Sequence, residues 1–116
     1  MPRKLVPIEV ETWTKKFRLE QYKEDHVSIL VITPRPDGYL LMSINKSNGK
    51  HMHKPDLWTE SKEQVEQRRK GLRKDGFELT TKIKRVPEYD APPPAERYRV
   101  EQLLEAQRRP RAKRSV

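Results

Sequence analysis

Cysteine is absent from the 116 residues. That removes disulfides, thiolate zinc sites and thiol nucleophiles together, and it suits a reducing compartment. No apolar run approaches the roughly 20 residues that span a bilayer, and the N-terminal MPRKLVPIEV has no apolar stretch of the secretory type. The expectation is a soluble protein without membrane contact, cytoplasmic or associated with a nucleoid or nucleus. Glycine is scarce, 4 in all, and Gly49, Gly71 and Gly76 do not form a phosphate-cradling loop. Also missing are a GxSxG elbow, an HExxH helix, a paired-carboxylate pattern and internal repeats. There is no basic-aromatic RNP strand and no GXXG loop either. These absences point away from an enzyme and from any cofactor, although a nuclease built from Asp56, Glu60 or Glu63 with His51 or His53 stays open.

What the chain has in excess is positive charge. Lys and Arg number 26 against 17 Asp and Glu, a net charge of +9, with a pI near 9.9. Apolar residues make up only 33% and prolines number 10, so one domain with tails is the expected organisation. Residues 8–88 read as a compact α+β domain. Ala91-Pro92-Pro93-Pro94-Ala95 marks a break, making 89–94 a stiff proline-rich spacer. Residues 95–116 then read as a C-terminal helix with Val100, Leu103, Leu104 and Gln107 on one side, followed by a basic tail.

Within the domain, His26–Thr33 is short, β-branched and apolar on both faces, as a central strand requires. Pro36-Asp37-Gly38 is turn chemistry, and Tyr39–Asn45 returns antiparallel. Upstream, Val6, Val10, Trp13 and Phe17 fit a helical face, whereas Lys16–Glu20 alternates like a strand; the strand is preferred. Asn48-Gly49 suits a type I′ turn, which would make Lys50–Lys54 a short edge strand; otherwise Asn45–Trp58 is a loop. Ser61 and Gln64 form a capping box, Glu66 stands four residues before Lys70, and Asp75-Gly76-Phe77 fits a Schellman stop. The helix between them buries a narrow stripe of Val65 and Leu72, with Trp58 in front. From Phe77 to Lys84 the pattern has period two, a half-buried strand closed by Pro87. The expected fold is a small antiparallel sheet of three to four strands with one helix on one face, β-β-(β)-α-β.

Cations cluster in three stretches. Lys46, Lys50 and Lys54 lie in a loop with His51 and His53; Arg68, Arg69 and Arg73 lie on the helix; Arg108, Arg109, Arg111, Lys113 and Arg114 lie in the tail. Clustered Lys and Arg are what phosphate recognition requires, because each contact releases condensed counterions. A charged helix face can also be merely solvated, and the tail can serve solubility, assembly or localisation. Trp58 is a candidate base-stacking platform or a core residue. His51, His53 and Asp56 have the spacing of a weak metal site, against a reading as two exposed histidines in a basic loop; no metal is expected. The expected function is a small noncatalytic nucleic-acid-binding protein, DNA slightly favoured over RNA, of phage or mobile-element type or part of a nucleoprotein assembly. The alternative is a protein-binding regulator that docks through its sheet edge or through helix 95–109 on an acidic surface of a larger complex such as a polymerase.

Overall fold

A computed structural model describes residues 4–108. Its strands are β1 (Leu5–Leu19), β2 (Glu24–Arg35), β3 (Gly38–Ser47), β4 (Lys50–His51), β5 (Asp56–Glu60) and β6 (Glu78–Pro87). Helix α1 (Lys62–Lys74) precedes β6, and α2 (Pro94–Arg108) follows a 3₁₀ turn at Glu88–Asp90. All pairings are antiparallel. β1, β2 and β3 form a meander, β4 and β5 share the outer edge of β3, and β6 closes the opposite edge beside β1. The α+β class and the antiparallel sheet agree with the sequence. The strand number is six rather than three to four, and a second helix packs on the domain.

The segment with two readings, Val6–Phe17, is strand throughout, in a β1 of 15 residues. Helical spacing of its apolar residues loses to alternation, because Trp13 pairs with Leu30 on β2 and Leu79 on β6. Pro7 is tolerated because the first half of β1 pairs with β6 alone, leaving its other side free of ladder bonds. The β2–β3 turn is tight. Gly38 has φ +149, and a Cβ there would lie 2.6 Å from the Glu60 carbonyl oxygen, so backbone approach as well as turn geometry demands glycine. At the other end of β3, Asn48 (φ 49) and Gly49 (φ 82) make the left-handed pair of a type I′ turn. The strand after it ends at His51 instead of Lys54, and the expected loop contains β5, five residues paired along Tyr39–Ser43.

Helix α1 carries the chain from one sheet edge to the other. The Gln64 amide donates to the Ser61 hydroxyl at 3.2 Å, and the Ser61 amide donates to the Gln64 side chain at 2.8 Å, the reciprocal capping box. Its C-terminus stops at Gly76 (φ 85), with Phe77 N–H donating to the Leu72 carbonyl at 3.0 Å and Gly76 N–H to Arg73 at 3.2 Å, the Schellman pair. No ion pair joins Glu66 to Lys70 among the described residues. Val65 is fully buried with Trp13, Leu30, Ile32 and Leu41, and Tyr39, Trp58, Leu72 and Phe77 pack around them. A second small cluster joins Val6, Ile8 and Ala91, with Val10 and Val86 against it.

The proline-rich segment is not a free spacer. Ala91 and Pro92 are buried, and Arg97 of α2, 5% exposed, donates to the Pro92 carbonyl at 2.7 Å and reaches Glu88 at 3.3 Å. Three prolines stiffen the backbone, but the small Ala91 fits over Val6 and Ile8 and anchors the segment. Val100 is buried as the helical face predicts, while Leu103 is 39% exposed.

Candidate nucleic-acid interface

Side chains of cross-strand partners project to the same face of a sheet. One face therefore carries Glu11, Trp13, Leu30, Ile32, Tyr39, Leu41, Trp58 and Glu60, and α1 lies on it. The arginines of α1 dock the helix there. Arg69 forks onto Glu11, its Nε donating at 3.0 and 3.1 Å, and the same carboxylate accepts from Trp13 Nε1 at 3.0 Å. Arg68 forks onto Glu60, its Nε donating at 2.9 and 3.0 Å, and Glu60 accepts from Trp58 Nε1 at 3.0 Å. The three guanidiniums also cover aromatic rings: Arg68 over Trp58 at 5.5 Å, Arg69 over Tyr39 at 5.3 Å and Arg73 over Trp13 at 5.6 Å. Two Trp–Glu–Arg units thus hold the helix on the sheet, one from β1 and one from β5.

The same contacts shift the proton affinity of the groups that make them. The Arg68 hydrogen bond holds the Glu60 carboxyl below its ordinary range, against an opposing push from burial. The same contact raises Arg68. Burial works against the charge on Arg69, but its hydrogen bonds to Glu11 and Tyr39 outweigh that and raise it.

The helix arginines therefore differ from the sequence expectation. Arg68 and Arg69 are paired with carboxylates and Arg73 is laid over an indole; Arg69 is half-buried, whereas Arg68 and Arg73 stay exposed. Trp58 is half-buried, hydrogen-bonded, covered by Arg68 and packed against the core cluster. A short pattern signals both units. Glu11-Thr12-Trp13 and Trp58-Thr59-Glu60 are mirror-image triplets, and their i, i+2 spacing puts each Glu beside its Trp on one strand face.

Arginine is spent in this way elsewhere too. Arg18 pairs with Asp25 and Glu20, Arg35 with Asp90, Arg97 with Glu88 and Glu101, and Arg99 with Glu9. A cavity of about 160 Å³ against α2 is lined by Arg69, Arg97 and Arg99 together with Glu9, Glu11 and Glu96. Its charges balance, so it offers no anion site. The lysines behave differently. Lys4 pairs with Glu88 and Lys15 sits over Phe77, whereas Lys16, Lys23, Lys46, Lys50, Lys54, Lys62, Lys70, Lys74, Lys82 and Lys84 have no carboxylate within 4 Å among the described residues.

Four of these lysines lie on the other face of the sheet. Register places Lys16, Val27, Lys46 and His51 in one row across four strands. Glu78, Thr14, Ile29 and Ile44 form the next row, and Thr80, Thr12, Val31, Met42 and Leu57 the one after. Lys82 then pairs with Val10 and Lys84 with Ile8. Val27, Ile29, Val31, Met42 and Ile44 are each half-buried, and Leu57 is 63% exposed. Helix α1 lies on the opposite face, while Ala91 packs against the Ile8 and Val10 end of these rows and leaves Ile8 buried. The result is a sheet surface with an aliphatic centre on β2 and β3, threonines and Glu78 along β1 and β6, and free lysines at two borders.

Of the residues expected to bind, Lys46 belongs to this open face and Lys50 and Lys54 are exposed beside it. Arg108 closes α2, and Arg109, Arg111, Lys113 and Arg114 lie outside the described residues. Lys16, Lys82 and Lys84 were not expected; their signal is the alternation of Thr80, Lys82 and Lys84 opposite Leu79, Thr81 and Ile83. His51 and His53 are exposed, and no group of three metal-ligating side chains gathers among the described residues. No helix is long and apolar enough to cross a membrane. Comparison with protein-family models, curated proteins and solved structures finds no match.

Proposed function

We propose that this is a noncatalytic nucleic-acid-binding protein whose contact surface is the open face of the sheet, with DNA as its first ligand. The observation that carries this reading is the division of labour among the cations. Arginine forks are the better fit for carboxylates, and here most of them are paired with one. The charge without a carboxylate partner is mostly lysine, a hydrated point charge that serves diester phosphates without demanding fork geometry, together with Arg73 and Arg85. A net charge of +9 supports attraction of a polyanion at long range.

Salt titration of binding tests it. Four phosphate contacts from Lys16, Lys46, Lys82 and Lys84 give a log–log slope of about −3 to −4. Reversing Lys82 and Lys84 to Glu lowers affinity and shallows the slope by about 1.5 to 2, while stability stays within about 0.5 kcal/mol because both side chains are exposed. A slope near zero refutes the reading. The β5 edge with its exposed Leu57 favours a second reading, a regulator that docks on an acidic protein surface; capture of the same protein partner after nuclease treatment would establish it.

A further inference from the structure

Resting on the reading above, we infer that the open sheet face takes single-stranded DNA, with bases covering its aliphatic centre and phosphates at its lysine borders. The argument starts from the spacing of the charges. Lys16 and Val10, the partner of Lys82, are six residues apart on β1, about 20 Å at roughly 3.4 Å per residue. Between these borders lie Ile29, Val31, Met42 and Ile44, half-exposed and with no element over them among the described residues.

A ligand that runs from Lys46 on β3 to Lys82 on β6 lies over Ile29 and Thr12 and against Ile44 and Val31. Sugar-phosphate backbone cannot do so favourably, because an anion pressed against aliphatic surface loses water without gaining a partner. Bases can, since their faces are apolar, but in a duplex they are stacked out of reach. A single strand presents both parts at once. A second copy of this chain fits poorly, as face-to-face packing would bring two sets of unpaired lysines together. Thymine's C5-methyl adds apolar contact that uracil lacks, which favours DNA over RNA on an aliphatic surface. No aromatic ring lies on these rows, so affinity comes from aliphatic coverage and phosphate contacts, without sequence readout by stacking.

Substituting Ile44 by Lys separates the readings by sign. The full-length protein is titrated by fluorescence anisotropy against a labelled single-stranded oligodeoxynucleotide, its duplex and the RNA of the same sequence. The wild type binds the single DNA strand most tightly. Ile44→Lys weakens it by on the order of tenfold, one aliphatic contact's worth, although the variant carries more positive charge. Ile44→Thr, which keeps β-branching and adds no charge, weakens it as well, and circular dichroism melts establish that both variants fold. If Ile44→Lys strengthens binding, or the duplex binds as tightly as the single strand, the contact is to backbone alone and this inference falls while the nucleic-acid reading stands. Tighter binding of the RNA overturns the choice of DNA. If no polynucleotide binds, both the inference and the proposed function fail.

Discussion

Replacing Arg69 by Ala should unfold the protein more readily without first acting on a ligand. In the fold Arg69 is 23% exposed and Glu11 12% exposed at their side chains. Removing the guanidinium leaves the Glu11 carboxylate with Trp13 Nε1 as its remaining side-chain donor. Breaking a fully buried pair costs about 3–5 kcal/mol; residual water access lowers that here, and a loss of about 2–3 kcal/mol follows from hydrogen bonds to a charged group. For a domain of this size that is a fall of roughly 10 °C in Tm. Thermal and urea melts at neutral pH measure it, with the double variant Glu11→Gln/Arg69→Met recovering part of the loss because no orphaned charge remains. An Arg69→Ala protein that melts within about 2 °C of the wild type yet loses DNA affinity would refute the docking role and return Arg69 to the binding surface.

Two further outcomes follow from contacts in the same region. Glu60 is depressed in the folded state, so it stabilises the fold above the ordinary carboxylate pKa of about 4.3 and loses that contribution as pH falls through its lower folded value. Glu60→Gln should therefore flatten the acid limb of stability against pH, and an unchanged limb would contradict the Arg68 contact. Gly38→Ala should destabilise by about 1–3 kcal/mol in urea melts, because its Cβ would meet the Glu60 carbonyl; a neutral result would mean that the β2–β3 turn relaxes freely.

The elements that could be read in advance are those fixed by neighbouring residues. The β2–β3 turn, the Asn48-Gly49 turn, the Ser61–Gln64 capping box and the Gly76 stop each depend on chemistry within a few positions. β5 could not be read because its pattern looks inverted: Asp56, Trp58 and Glu60 face the helix side while Leu57 faces out. The arginine cluster misled for a different reason. Counting charges along a helix cannot reveal that a carboxylate 58 residues upstream meets Arg69. The open face was invisible likewise, since it arises from register across β1, β2, β3 and β6, not from any single stretch.

The separation of mostly carboxylate-paired guanidiniums from mostly unpaired amines has a practical consequence. A reagent selective for primary amines, such as a mild acylating agent, meets the surface charge while leaving the Trp–Glu–Arg fastenings intact. The chain could thus be discharged chemically without being taken apart, so that its polyanion attraction and its folding can be switched off one at a time.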